Sequence, residues 1–397
     1  KYYSESKYYA LHRPNQNVLI LDGKKVSFSF LDDEIDAVSD INIVIDSSFW
    51  YEGVVERRIE KLRKLKGKTI YINHVGMQNN GKSVFVYDGT CLYLNDDQIK
   101  YLSNPFEEQL LMVDLDKDIE NHQVPVNHLL ALKSLIKYYD DELFPFKPNW
   151  IIGLSGGLDS SVSLALLVNV LGADRVIAVN MPSRFNQETS RNNASKMAEV
   201  LGVEYLTVPV ESLAQETVEV LAGSKIDVSS GLAYENIQAR LRGHILMSIA
   251  SVRSGVVVNN GNKLESAFGY ATMYGDAIGA LSVLGDLNKM EVSNLARLLN
   301  EDFKEEIVPN NLIAIEEESE IKWGFAPSAE LAHNQLDPMK WGYHDYLLDF
   351  LLTHSIEELM ILYFNGSIYK TRFGKYMKVY GLDDPQEFIK DLEWVIK

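Results

Sequence analysis

The stretch WIIGLSGGLDSSVSLALLVNVLG, residues 150–172, passes from apolar residues into a cluster of glycine and serine, meets one acid, Asp159, and returns to an apolar pattern of a different period. Gly153, Ser155, Gly156 and Gly157 leave backbone amides uncovered where a strand gives way to a helix, and amides so placed wrap an anion. Phosphate is the expected guest. No lysine follows the glycines as in a Walker A loop, and the spacing is not that of a dinucleotide fingerprint, so two common nucleotide folds are set aside. A carboxylate beside a phosphate nest is repulsive unless a divalent cation stands between them. Asp159 therefore predicts Mg²⁺ bridging it to phosphate oxygens. The alternative is a flexible turn with Asp159 as a helix cap, since serine and aspartate both cap well.

The elements that must position this loop follow from periodicity. From Trp150 onward short apolar runs (WIIGL, RVIAVNMP, EYLTVPV) alternate with helix-period segments at 160–171 and 188–201, the signature of βαβ units. The expected fold class is α/β, a doubly wound parallel sheet with helices on both faces. LAYENIQARLRGHILMSIAS, residues 232–251, reads as a long amphipathic helix carrying Arg240 and Arg242, and GVVVNNGN as a further strand ending in a polar turn. Residues 1–118 are mostly strands with one charged helix at 56–66, residues 119–148 form a connector, and 149–397 the second domain.

Length, charge and cysteine count bound the function. A chain of 397 residues can bury a large core, and its formal net charge of −18 argues against a nucleic-acid or anionic-membrane surface. The single cysteine excludes an internal disulfide and any multi-cysteine zinc site, and no apolar run approaches the roughly 20 residues that span a bilayer. A cytoplasmic enzyme acting on small molecules is expected. The chain opens at Lys1, with no initiator methionine and no signal-like segment, so it is expected to start inside a longer polypeptide.

GLSGGLDSS resembles the pyrophosphate loop of the N-type ATP pyrophosphatases, and MPSRF, ENIQARLRG, NNGNKLESAFGYATMYGD and APSAEL, in this order, are similar to NAD synthetases, above all the glutamine-dependent two-domain kind. The resemblance covers residues 150 to about 349. It implies an adenine nucleotide α-hydrolase-like domain preceded by part of an α/β nitrilase-like sandwich. It also implies a reaction: ATP adenylates the carboxylate of nicotinic acid adenine dinucleotide, pyrophosphate leaves, and ammonia displaces AMP to give NAD. ATP and Mg²⁺ are the implied cofactors, and a homo-oligomer, at least a dimer, the implied assembly. A non-catalytic dinucleotide-binding or regulatory relative is the alternative, and a change of acid substrate a third reading.

By the same resemblance, Ser155, Gly156, Gly157, Asp159 and Ser160 cradle the leaving pyrophosphate, Asp159 and Glu265 hold Mg²⁺, and Lys289 contacts phosphate. Asn236 and Arg240, one turn apart, share a helix face and suit ribose, phosphate or the nicotinate carboxylate. Tyr270 and Asp276 correspond to positions lining the substrate site, and Ser328 of APSAEL to an ATP contact. Ser183 and Arg184 follow the second strand, where ligands of open α/β sheets bind, and adenine contacts are expected there. The family writes Thr-Thr-Gly-Asn where this chain has Asn259, Asn260, Gly261 and Asn262, and an asparagine amide at 260 can still meet ATP. Lys370, Arg372 and Lys375 of the tail find no counterpart.

In the first half, DSSFWYEGVVERRIEKL and IYINHVGMQNNGKSVFVYDGT resemble the later part of the nitrilase-like glutaminase that feeds ammonia to these synthetases. Its nucleophile is a cysteine after an apolar strand. The corresponding stretch here is SFSFLDDEI, which puts Leu31 in the cysteine slot, so the glutaminase nucleophile is absent and free ammonia is the expected nitrogen source. Cys91 falls in a later strand and reads as a core residue.

Overall fold

A parallel strand covered on both faces must be apolar at every position, and Trp150, Ile151 and Ile152 have no exposed surface at all. They form the centre of the second of two compact units, whose boundary falls between Tyr138 and Tyr139, inside the segment read as a connector. The computed structural model describes residues 18–397 except 33–38, 82, 97, 123, 125 and 334.

In the first unit the elements run β1 (Val18–Leu21), β2 (Lys24–Phe30), β3 (Ile41–Asp46), α1 (Val54–Leu62), β4 (Lys68–Asn73), β5 (Val75–Asn79), β6 (Val84–Asp88), β7 (Cys91–Asn95), β8 (Gln98–Tyr101) and α2 (His128–Tyr138). Six strands make one sheet in the order β1-β2-β3-β4-β7-β8, parallel from β2 to β4, while β5 and β6 form a separate hairpin. The expected helix at 56–66 starts two residues earlier and ends at Leu62, where the chain turns into Gly67, whose φ of +86° a side chain would strain. Val44, Leu62, Tyr71, Leu92 and Leu94 are the core under α1, and Leu31, directly after β2, packs against it. An aliphatic side chain with an apolar role thus stands at that strand end. Asp33, Glu34 and Ile35 of SFSFLDDEI lie outside the described residues.

The second unit runs β9 (Asn149–Gly153), α3 (Leu158–Leu171), β10 (Val176–Asn180), α4 (Glu188–Leu201), β11 (Glu204–Thr207), α5 (Glu211–Gly223), α6 (Gly231–Val252), β12 (Gly255–Asn259), α7 (Lys263–Ala267), β13 (Leu281–Ser282), α8 (Lys289–Phe303), β14 (Ile315–Glu317), β15 (Glu320–Lys322), α9 (Tyr343–Leu351), α10 (Ile356–Phe364) and α11 (Pro385–Ile396). Its sheet is wholly parallel, in the order β11-β10-β9-β12-β13. The chain builds outward from β9 to β11, then α6 carries it back to the other side of β9. This places the loops after β9 and β12 at the switch of strand order, where such sheets bind ligands. α3 packs with α4 and α8, and α5 with α6. Ile151, Ile177, Val179 and Val257 meet Ile245, Leu246 and Ala250 of α6 in the core beneath the switch point.

Candidate active site

The loop after β9 is held from both sides. The Leu154 amide donates to the Val179 carbonyl at 2.8 Å and the Asn180 side-chain amide to the Leu154 carbonyl at 2.7 Å. At Gly156, φ is +87° and a Cβ would lie 1.9 Å from the Ser190 carbonyl oxygen, so only glycine lets the loop press onto the start of α4. Ser155 Oγ accepts from the Gly157 amide at 3.2 Å and pairs with Ser160 Oγ at 3.1 Å. No side chain caps α3 at Gly157. The capped-turn alternative therefore does not form: the Asp159 carboxylate points to other partners and the first amides of α3 stay available to an anion.

Those partners come from two further helix starts. Asn262 and Glu265 close a capping box at α7, and the Asn262 side chain also donates to Asp159 Oδ1 at 3.2 Å. Lys289 opens α8, and its Nζ lies 3.2 Å from Asp159 Oδ2 and 2.7 Å from Glu265 Oε1. Burial acts to lower the Lys289 pKa, but Asp159 and Glu265 outweigh it and hold the ammonium charged. Burial pushes Glu265 up, with Lys289 pulling it back in part. Asp345, fully buried, accepts from the amides of Lys289 at 2.6 Å and Met290 at 3.3 Å, which fixes the start of α8. Trp341 lies under the ammonium, 5.8 Å from nitrogen to ring centroid.

Asp159, Glu265, Lys289 and Trp341 line a cavity of ≈ 310 Å³. Of the residues anticipated from sequence, it brings together Gly153, Ser155, Gly157, Asp159, Ser160, Asn260, Glu265, Tyr270, Asp276, Lys289 and Ser328. Asn260 donates to the Gly153 carbonyl at 2.8 Å, tying the ends of β12 and β9. The Ser328 hydroxyl is taken up within its own loop, donating to the Gln335 carbonyl at 2.6 Å. Gly156 lies beneath the lining. Ser183, Arg184, Asn236 and Arg240 are also outside it. Ser183 is buried, with its amide on Asn186, and Arg184 stacks on Phe185 and Tyr234 and reaches Glu211 at 3.4 Å. Asn236 and Arg240 both hold the loop after α7, through Thr272 and the Met273 carbonyl.

Sequence reasoning passed over Arg242, Asn186, Glu330, Asp337 and Trp341, all of which line the cavity. For Arg242 a signal existed. Ala239, Gly243 and Leu246 mark the α6 face turned to the sheet, and Arg242 falls on it whereas Arg240 does not. Glu330 is buried and accepts from the Asn186 side chain at 2.8 Å and Ser190 Oγ at 2.9 Å, contacts about 140 residues away in sequence that no local pattern announces.

Asp159 and Glu265 suit a hard divalent cation. Each carboxylate oxygen accepts one hydrogen bond and keeps a lone pair, and five acids in the lining (Asp159, Glu265, Asp276, Glu330, Asp337) face two cations (Lys289, Arg242).

The second unit is thus a doubly wound parallel sheet whose switch-point loop of bare amides lies beside a lysine-bridged acid pair. The family model described as NAD synthase matches residues 133–362, more than half of the chain. The chain belongs to the NAD synthase family. Among its relatives, the glutamine-dependent NAD(+) synthetase of Acinetobacter baylyi is 28% identical over 80% of this chain and 58% of its own length. That of Xanthomonas campestris is 32% identical over 75% of this chain and 53% of its own. Among solved structures, the glutamine-dependent NAD+ synthetase of Acinetobacter baumannii in complex with ADP superposes with a TM-score of 0.70 at 28% identity, over 78% of this chain and 62% of that one. The chain thus spans about half the length of the curated relatives it matches.

Proposed function

We propose that the chain converts nicotinic acid adenine dinucleotide to NAD, spending ATP to AMP and pyrophosphate, with ammonia as nitrogen donor. The observation that carries this reading is the Lys289 bridge between Asp159 and Glu265 beside the uncapped amides of α3, within a chain of the NAD synthase family.

A carboxylate is a poor electrophile at carbon, and adenylation supplies a leaving group. One carboxylate oxygen attacks the α phosphorus, the bond to the bridging oxygen of the β phosphate breaks, and pyrophosphate departs into the loop of Ser155, Gly156, Gly157 and Ser160. Ammonia then adds to the acyl carbon, the carbon–oxygen bond to AMP breaks, and the amine sheds its extra proton. Preorganised amides and the Lys289 ammonium offset the charge that builds on the phosphate oxygens. Asp159 and Glu265 would hold Mg²⁺, which supplies Lewis-acid neutralisation of phosphate charge. A non-catalytic dinucleotide-binding relative would have no need of a buried ammonium held between two acids, which favours the catalytic reading.

We place the enzyme in the cytoplasm, where ATP is available; no helix among the described residues is long and apolar enough to cross a membrane. Its partners are small molecules and a second copy of itself, since Met247, Val252, Met273 and Tyr274 leave large apolar surfaces exposed on and beside α6. Incubation with ATP, Mg²⁺, nicotinic acid adenine dinucleotide and ammonium should yield NAD, AMP and pyrophosphate in equal amounts. ADP in place of AMP, or no NAD, would defeat the reading.

A further inference from the structure

Lys289 and Arg242 are the two cationic side chains that line the cavity among the described residues, and they are in opposite states. The Lys289 ammonium is committed to Asp159 and Glu265. Arg242 makes a single hydrogen bond, from Nε to the Met181 carbonyl at 3.1 Å. Among the described residues its two terminal nitrogens meet no acceptor, and neither Glu330 nor Asp276, the acids that face it, closes an ion pair with it. Arg242 is only half-buried, and its terminal nitrogens remain unused donors on a residue that lines the cavity. Burial lowers the Arg242 pKa to about 10 although Glu330 and then Asp276 pull the other way.

We infer that Arg242 is the cavity's receptor for a phosphoryl group of the bound nucleotide, its Nε anchored on Met181 and its terminal nitrogens presented as a two-pronged donor. Its surroundings favour phosphate over another anion. Glu330, whose charge acts on Arg242 more than that of Asp276, is tied to Ser190 and the Gln187 amide, and the Ser190 carbonyl is the atom on which Gly156 rests. Arg242 therefore belongs to the wall that backs the phosphate loop. Beside it Val179, Met181 and Leu246 give an apolar surface that accepts a purine. Arg240, two positions back, likewise donates from Nε alone, to the Met273 carbonyl, but it lies outside the lining. An arginine fork matches phosphate geometry where a lysine point charge does not, so the assignment is specific to residue type.

The proposal rests on the synthetase reading, and calorimetric titration of the full chain separates the two. Arg242→Met should weaken MgATP about 10- to 100-fold. Adenosine affinity should stay within about twofold, since adenosine has no phosphate. Arg242→Lys, which keeps the charge and the stem and so guards against a variant that fails to fold, should still weaken MgATP at least about threefold. Unchanged MgATP affinity in folded variants, an equal loss for adenosine, or a loss confined to nicotinic acid adenine dinucleotide overturns the assignment while leaving the synthetase reading standing. A wild-type chain that binds no MgATP overturns both.

Discussion

The Lys289 ammonium lies 2.7 Å from a Glu265 carboxylate oxygen, an ion pair that joins the first turns of α8 and α7. Lys289→Met would leave Glu265 and Asp159 facing each other without their cation. Turnover should fall by about 10² to 10³, the cost of one preorganised charge at a reacting phosphate. Breaking a buried pair from one side should also lower the melting temperature by several degrees. Steady-state NAD formation and thermal melts check both. Turnover within tenfold of wild type would remove Lys289 from the chemistry.

Asp345 carries a pH signature. Burial pushes its carboxyl up to about 6, against the pull of the Gly342, Met290 and Lys289 amides it accepts. Lys289 and the hydroxyls of Tyr346, Tyr376 and Tyr380 are the titratable groups that interact with it. An unfolded aspartate releases its proton near 4, so between about 4 and 6 the folded chain binds more protons than the unfolded one. This group's contribution to stability therefore falls as pH rises through that window. Asp345→Asn removes the titration, and the stability difference between variant and wild type should move in the variant's favour by on the order of 2–3 kcal/mol from pH 4 to pH 7. Denaturant unfolding across that range measures it. A difference that ignores pH would contradict the account.

How much of this was legible in the sequence depended on how local each feature is. The switch-point sheet, the glycine loop and α6 were readable because period and composition are local signals. Gly156 could be chosen as a loop glycine, but its close approach to Ser190 needed the fold. Asn236 and Arg240 share the α6 face that holds the loop after α7, while Arg242, two positions on, lies on the face that lines the cavity, a difference that spacing alone does not reveal. Glu330, Asp337 and Trp341 reach the cavity from segments far along the chain, and Asp345 acts through backbone amides, which leave no mark in side-chain patterns.

The proposed nitrogen donor turns on the end of β2. Leu31 packs against the core under α1, and with leucine in the nucleophile slot amide hydrolysis through a thioester cannot start there. Burial pushes the Cys91 thiol up to about 11, so it supplies little thiolate near neutrality. Ammonium should support NAD formation, increasingly as pH rises above neutral because the free amine is the nucleophile. Glutamine alone, with contaminating ammonia scavenged, should not. NAD formed together with an equal amount of glutamate would show that a nucleophile acts elsewhere in the chain.

Tyr274 is 75% exposed, Met273 67% and Met247 51%, apolar surface on and beside α6 that an isolated copy would leave in water. The chain should form a dimer about a two-fold axis. Light scattering should give about twice the 45.0 kDa of one copy. A mass of one copy at every concentration would reject it.

In the proposed reaction the acid is adenylated before nitrogen arrives, with ATP split between the α and β phosphates. The most direct measurement follows oxygen. With the nicotinate carboxylate of the dinucleotide labelled with ¹⁸O, the carboxylate oxygen that attacks the α phosphorus stays on phosphorus when ammonia breaks the carbon–oxygen bond. Mass spectrometry should therefore find one ¹⁸O in AMP and none in pyrophosphate for each NAD formed. Label in inorganic phosphate, or NAD accompanied by unlabelled AMP, would contradict the adenylate and with it the roles given to Asp159, Glu265 and Lys289.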